Sequence, residues 1–193
     1  QHGAVVFNGD GYSAEWHAEA EKRGLPNLKN TPAALPALQK PEVIELFDKY
    51  KVLSPRELGA RYEVYLEQYI KHVKVESGLT AKLARTSILP AALRYQSEIV
   101  GSAAAAKTLG LAGDLKTPAK VAGLIIELEK AVEALESAGG SVPHGDSLKE
   151  AQYYCDKVIP PMSKVREVVD TLEGVVADDL WPLPTYHEML FIR

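Results

Sequence analysis

One helix start constrains the fold more than any other feature of the sequence. Residues 54–57 read Ser-Pro-Arg-Glu, so a serine cap precedes a first-turn proline, and Glu57 follows Ser54 by three positions. This pattern is a capping box, in which the serine and glutamate side chains satisfy backbone amides that the first helical turn leaves free. The apolar side chains that follow recur at intervals of three and four: Leu58, Tyr62, Tyr65, Leu66, Tyr69, Ile70 and Val73. The spacing predicts a long amphipathic helix and not a strand.

Three long helical runs account for most of the chain after residue 53. The first follows the capping box and extends to about residue 109 if Gly78 does not break it. The second covers residues 117–138, where Thr117 is the expected cap, and the third runs from about residue 146 to about residue 179. Because glycine-bearing loops join consecutive runs, we expect the helices to fold back on one another as an antiparallel bundle.

Two prolines lie inside these runs, Pro90 in the first and Pro160 in the third. A proline within a helix removes one backbone hydrogen bond, and its ring clashes with a carbonyl of the preceding turn. Since such prolines bend helices, we expect a kink at each position. Two of the three long helices are therefore predicted to be proline-kinked.

The first 53 residues carry shorter signals. Residues 4–7 are predicted to form a short strand, and residues 8–11 read Asn-Gly-Asp-Gly, which is a strong turn sequence. Ser13 is then expected to cap a helix that ends at Gly24. A short helix is therefore predicted to precede the rest of the chain.

A proline-rich connector follows that helix, with Thr31 expected to cap one short helical turn and Pro41 to open another. The overall prediction is an all-α protein, an antiparallel bundle of three long helices preceded by a short helix and this connector. We expect two domains. Residues 1–53 form the N-terminal segment, and residues 54–193 form the helical bundle with an extended C-terminal tail.

Composition argues against several classes of function. The 193 residues carry 22 basic and 26 acidic side chains, a net charge of -4, and no dense Lys/Arg cluster, so nucleic acid is not an expected partner. The longest apolar stretch is far shorter than the roughly 20 residues of a membrane-spanning helix, so no membrane span is expected. Cys155 is the single cysteine, which excludes an internal disulfide and fits a reducing compartment. We expect the protein to be cytoplasmic.

No residue pattern predicts a catalytic, cofactor-binding or metal-binding site. His17 and Glu21 lie four apart on one helix face and could share a cation, but a solvated surface pair is the simpler interpretation. Residues 9–13 bring glycines to a helix N-terminus, where free amides can hold an anion, although a turn with a serine cap explains them equally. Cys155 lies within a helix beside Asp156 and lacks the basic neighbours that activate a thiol, so a structural role is expected.

Three tyrosines, Tyr62, Tyr65 and Tyr69, follow helical spacing in the first long run. Aromatic rings at this spacing most often pack in a core with their hydroxyl groups at its margin. Tyrosine is also enriched at protein interfaces. Both interpretations stay open, and these three residues are the candidate partner surface.

Several segments resemble type III glutamine synthetases, in the order in which that family has them. The chain reads VFNGDGYS from Val6, EAEKRGLPNL from Glu19, RYEVYLEQY from Arg61, ILPAALRYQ from Ile88 and LWPLPTYHEMLF from Leu180. The first two segments are similar to the region just after the family's catalytic domain, and the others are similar to its C-terminal region. The resemblance covers nearly the whole chain, although residues 97–148 carry no matching motif.

The resemblance implies a parent enzyme that joins glutamate and ammonia with ATP, through a γ-glutamyl phosphate and with divalent Mg or Mn ions held by carboxylates. It also implies stacked rings with active sites between neighbouring catalytic domains. The family's metal, ATP and glutamate ligands belong to the catalytic domain, so no catalytic residue is carried over to this chain. Because the chain starts at Gln1 without methionine, we expect a catalytic domain to precede it.

The main hypothesis is a C-terminal helical domain of a glutamine synthetase that braces the catalytic domain or the oligomer. Its expected partners are that catalytic domain and the neighbouring subunits of a homo-oligomer, and the chain alone is expected to be inactive. The alternative is an autonomous helical module that binds a protein through residues 62–69. A third hypothesis, nucleotide binding at residues 9–13, has the least support.

Overall fold

The computed structural model describes residues 3, 6–111 and 115–191, and these form helices and loops without any strand. The all-α prediction is confirmed. Val6 and Phe7 lie in no strand, so this part of the predicted strand is wrong, and Ala4 and Val5 lie outside the described residues. The chain forms two compact units, residues 1–66 and residues 67–193. The domain boundary after residue 53 stays a prediction.

Unit 1 contains three short helices and a 3₁₀ turn before residue 54. They are α1 (Ala14–Lys22), α2 (Thr31–Ala34), the 3₁₀ turn Leu35–Gln39 and α3 (Pro41–Lys49). The amide of Trp16 donates to the Ser13 hydroxyl oxygen over 3.2 Å, which confirms the predicted cap. Gly24 then adopts a φ of +73°, a conformation that favours glycine after a helix end.

The cap of α2 differs from the prediction. Asn30, and not Thr31, precedes the helix, and the amide of Ala33 donates to its Oδ1 over 2.9 Å. Thr31 is already the first helical residue, and Pro32 follows it in the first turn. An asparagine side chain caps as well as a threonine does, so the residue before the Thr-Pro pair took the role.

The long helix α4 (Pro55–Leu83) begins at the predicted capping box and continues through Gly78 without a break. The amide of Ser54 donates to Glu57 Oε2 over 2.8 Å, and the amide of Glu57 donates to Ser54 Oγ over 3.3 Å. Both reciprocal bonds of the box are therefore present. The last residues of unit 1 belong to the first turns of this helix.

Both interior prolines follow a π-helical turn. Helix α4 passes through the π turn Ala84–Ile88 into α5 (Leu89–Thr108), whereas α7 (Ser147–Tyr153) passes through the π turn Tyr154–Val158 into α8 (Ile159–Glu173). The amide of Leu89 donates to the carbonyl of Ala84, five residues back, and Ile159 does the same to Tyr154. A wider turn relieves the contact between a proline ring and the preceding carbonyls. The kinks themselves stay a prediction.

The antiparallel arrangement of the bundle stays a prediction, and the contacts within unit 2 agree with it. Helix α6 (Lys116–Gly139) packs against α5 and α8. Glu136, near the end of α6, pairs with Arg85 just before α5, with 2.7 Å between Nε and Oε1. Glu127 of α6 lies 3.4 Å from Lys164 of α8. The largest fully buried side chains of the unit are Ile88, Val121, Leu128, Val132, Leu135, Val158, Val165 and Leu172.

Two ends of the bundle helices differ from the prediction. Leu115 precedes α6 and makes no side-chain cap, so Thr117 is not the cap and lies inside the helix. Helix α8 ends at Glu173, earlier than the predicted end near residue 179. A 3₁₀ turn at Asp178–Leu180 packs against α5, and α9 (Tyr186–Leu190) follows.

The core of unit 2 gives a direct test of this packing. We expect Leu128→Ala to lower the free energy of unfolding by about 2–5 kcal/mol, because Leu128 is 1% exposed and its loss leaves a cavity. Ile126→Ala, on the exposed side of the same helix, is expected to change it by no more than about 0.5 kcal/mol. Urea denaturation followed by circular dichroism measures both values. Equal effects of the two substitutions would mean that α6 packs through a different face.

Candidate interaction site

The three tyrosines predicted as core or partner surface all lie on α4, and none of them is fully buried. Tyr65 is 41% exposed, whereas Tyr62 and Tyr69 are half-buried. Tyr62 and Tyr65 belong to unit 1, and Tyr69 belongs to unit 2. Their role as a partner surface stays a prediction.

Tyr69 is engaged within unit 2. Its hydroxyl lies beside the thiol of Cys155, which lies in the second π turn. Burial, followed by the interaction with Cys155 and the negative charge of Asp156, raises the pKa of Tyr69 above its ordinary value. The phenol therefore stays protonated at neutral pH and is not a base. Cys155 is half-buried, and its structural role stays a prediction.

A groove on α4 lies beside Tyr65 in unit 1. Its volume is about 330 Å³, and its lining combines apolar side chains with one acidic and one basic residue. The lining residues are Leu53, Glu57, Ala60, Arg61, Val64 and Tyr65. Val64 is 49% exposed at this groove. Helical spacing in the sequence identified Tyr65. It did not indicate the groove, because Leu53, which forms part of its lining, precedes the helix.

A larger groove of about 470 Å³ lies in unit 2, between the end of α4 and α8. Leu83, Val165 and Val169 supply apolar walls, whereas Glu76 and Arg166 supply charge. The side chain of Arg166 already donates to Asp170 over 2.6 Å. No sequence motif indicated this groove, because its two walls come from helices that are distant in sequence.

The residues considered above as possible ligands or catalytic groups do not come together as a site. His17 and Glu21 are exposed on α1. Across the part of the chain that the structure describes, no three His, Cys, Asp or Glu side chains are grouped as metal ligands would be. In the turn at residues 9–13, the amide of Tyr12 donates to Asp10 Oδ1 over 2.9 Å, and the Ser13 hydroxyl donates to the Asp10 carbonyl over 2.8 Å. These bonds are those of a turn that leads into a helix cap.

An aromatic cluster holds that turn against α1, and the sequence did not indicate it. The rings of Phe7 and Trp16 stack with centroids 4.6 Å apart, and the Arg23 guanidinium lies 5.7 Å from the Trp16 ring centroid. Arg23 also donates to the carbonyl of Val6 over 2.7 Å. A Cβ at Gly9 would lie 2.6 Å from the Phe7 ring, so a larger residue there would displace this ring.

The capping box of α4 predicts a dependence of stability on pH. The amide of Ser54, and then its hydroxyl, hydrogen-bond the Glu57 carboxylate and lower its pKa below the ordinary 4.5. A lowered folded pKa contributes stability above pH 4.5, and this contribution is lost as the pH falls through the folded pKa. We expect Glu57→Gln to be less stable than the wild type at pH 7, with the difference shrinking below pH 4.5. Urea titrations at several pH values measure this difference in the free energy of unfolding.

Glu63→Gln, exposed on the same helix, is the matched control. We expect its difference from the wild type to stay small and nearly constant over the same pH range. A difference for Glu57→Gln that grows as the pH falls would contradict the sign of the shift.

The contact between Tyr69 and Cys155 gives a further prediction. Tyr69→Phe keeps the ring and removes the hydroxyl from beside Cys155. If the two groups form a hydrogen bond, we expect a loss of about 0.5–1.5 kcal/mol in the free energy of unfolding, the usual contribution of one such bond. Tyr65→Phe is the control, because Tyr65 is exposed. Chemical denaturation measures both. If Tyr69→Phe is as stable as the wild type, the bond contributes nothing to the fold.

These features define an all-helical type of domain, with a packed core in unit 2 and a groove in each unit, and across the described residues no metal ligands are grouped. A family model described as "Glutamine synthetase C-terminal domain" matches residues 1–107. The chain therefore belongs to the glutamine synthetase C-terminal domain family, which confirms the resemblance. None of the described helices is long and apolar enough to cross a membrane.

The relatives found for this chain are themselves named glutamine synthetases. The chain is 37% identical over 204 residues to the type-3 glutamine synthetase of Dictyostelium discoideum, a match that covers 100% of the chain and 28% of that relative. It is 33% identical to a glutamine synthetase of Butyrivibrio fibrisolvens, over 98% of the chain and 28% of that relative. A glutamine synthetase of Bacteroides fragilis is 31% identical, with 98% and 27% covered. The chain thus spans little more than a quarter of the length of these relatives.

Proposed function

We propose that this chain is a structural domain of a glutamine synthetase and braces the catalytic domain or the oligomer. The observation that carries the proposal is the match to the Dictyostelium discoideum enzyme, which includes 100% of this chain but only 28% of that relative. A chain of this size that aligns throughout with part of a much longer enzyme is best understood as one of its domains. The packed core of unit 2, with ion pairs between α6 and its neighbours, suits a bracing role.

The parent activity belongs to the same proposal. The parent enzyme would join glutamate and ammonia with ATP and a divalent ion, Mg or Mn, in a cytoplasmic homo-oligomer. The described residues of this chain show no group of carboxylates or histidines suited to a metal, so none of them is assigned to hold the ion. We therefore derive no catalytic step from this chain, and its partners are the catalytic domain and neighbouring subunits.

An autonomous interaction module is the second candidate. The exposed Tyr65 and the groove beside it on α4 support this alternative. Such a module would bind its partner without any effect on a glutamine synthetase. The two candidates therefore differ in what happens when this chain is placed in the parent context.

A chimera tests the proposed function. The matched residues of the Dictyostelium discoideum enzyme are deleted in one variant and replaced by this chain in another. We expect the deletion to lower the assembly state and the thermal midpoint of that enzyme, because the brace is gone, and we expect the replacement to restore both. Analytical ultracentrifugation and thermal unfolding measure the two properties, and glutamine formation from glutamate, ammonia and ATP measures activity.

Two results would overturn the proposal. The first is a deletion variant that assembles, unfolds and turns over like the intact enzyme, since a brace cannot be dispensable for all three. The second is glutamine formation by the isolated chain, because we expect this chain to have no turnover by itself. The isolated chain, checked for folding by circular dichroism, serves as the control for the activity assay.

A further inference from the structure

The two units of the chain differ sharply in how much of their apolar surface is buried. Among the described residues of unit 1, the buried ones are Ala20, Pro32, Leu58 and Leu66, of which only the two leucines are large. Unit 2 buries a continuous set of apolar residues from α4 to α8. A unit of roughly 60 residues is marginal even with a normal core, because it buries only about 60% of its unfolded surface. Unit 1 therefore lacks the core that a self-supporting unit of its size needs.

Unit 1 also exposes a row of large apolar side chains that follow one another along the chain. Leu46 is 53% exposed, Tyr50 is 66% exposed one turn later, and Val52 is 63% exposed. The next residue, Leu53, lines the groove on α4 together with Val64 and Tyr65. We call Leu46, Tyr50, Val52, Val64 and Tyr65 the unit 1 face. Single exposed apolar side chains are common on protein surfaces, but Val52 is followed directly by Leu53, which joins Val64 and Tyr65 at the groove, and neighbouring apolar side chains are typical of an interaction surface.

Charge does not explain this face. In unit 1 as a whole, Lys and Arg number 8 and Asp and Glu number 9 in the sequence, so the unit is close to neutral. A neutral unit with exposed aromatic and aliphatic side chains suits an apolar protein surface better than a phosphate backbone or an anionic membrane. The partner should therefore be a protein surface that covers the unit 1 face mainly by apolar contact.

The relatives are much longer than this chain, and their additional residues are the source we assign to that protein surface. The chain spans 28% of the Dictyostelium discoideum enzyme, so more than two thirds of that polypeptide has no counterpart here. Two parts of one polypeptide meet at an effective concentration in the millimolar range, so even a modest apolar contact between them is well populated. The family model, which matches residues 1–107, includes all of unit 1 and ends before α6.

We propose that the unit 1 face docks this chain onto the part of the glutamine synthetase polypeptide that the chain lacks, whereas the bundle of unit 2 holds itself together. This inference rests on the proposed function and adds which surface makes the contact. It implies that unit 1 gains most of its order from the docked partner. It also assigns Tyr65, but not Tyr69, to the interface.

Amide hydrogen exchange in the isolated 193-residue chain and in the chimera tests the proposal. We expect amides of α3 and of the first turns of α4 to exchange at least about tenfold more slowly in the chimera, because docking suppresses local opening. Amides of α6 and α8 are expected to exchange at similar rates in both. Peptide-resolved mass spectrometry gives the two sets of rates.

A pair of double variants of the chimera completes the test. Leu46→Ser with Tyr50→Ser is expected to remove the slowed exchange of α3 and to lower the thermal midpoint of the chimera. Leu109→Ser with Leu115→Ser, at two exposed positions of unit 2, is the matched control and is expected to change neither. Circular dichroism of the isolated chain with each pair checks that all four substitutions leave its helices in place.

The remaining outcomes distinguish a failure of this inference from a failure of the proposed function. Slower exchange in α6 and α8 instead of α3 would overturn this inference and leave the bracing role intact, because the bundle would then be the contact. Exchange in α3 that already slows with rising concentration of the isolated chain would also overturn it, since a second copy would be the occupant. Failure of the proposed function itself is seen independently, in a deletion variant that assembles and works normally.

Discussion

The rest of unit 2 depends on the apolar packing of α6 against its neighbours. Its buried residues recur at intervals of three and four along one face: Val121, Ile125, Leu128, Ala131, Val132 and Leu135. Helix α6 contacts α5, α8 and both π turns, so it holds together elements that do not follow one another in the chain. The ion pairs from Arg85 and Lys164 to α6 are exposed and add little energy to this packing.

The two π turns show how this packing is reconciled with prolines inside long helices. Each π turn begins and ends with a buried residue, Ala84 and Ile88 in one and Tyr154 and Val158 in the other. The apolar side chains of each π turn therefore stay packed against α6. The backbone hydrogen bonds just before the proline span five residues instead of four. The second π turn also carries Cys155 to the hydroxyl of Tyr69. One backbone irregularity thus serves both packing and a polar contact.

The sequence anticipated the candidate surface only in part. Helical spacing identified Tyr62, Tyr65 and Tyr69 as a set, but spacing does not say what lies opposite each residue. In the structure Tyr69 meets Cys155 within unit 2, whereas Tyr65 borders an open groove in unit 1. The cluster of Phe7, Trp16 and Arg23 was missed, because ring stacking and a guanidinium above a ring leave no periodic signal. Such contacts depend on how a loop folds back, which local propensity does not specify.

What the sequence alone determined is most of the helices and the caps at Ser13 and Ser54. The Ser54 and Glu57 box, the Ser13 cap and the apolar faces of the long helices arise from interactions within one or two helical turns, which local residue order specifies. Only the tertiary structure decided the π turns, the pairing of Arg85 with Glu136 and the shape of the grooves. These features join residues that are distant along the chain, and their formation depends on which surfaces meet when the helices pack.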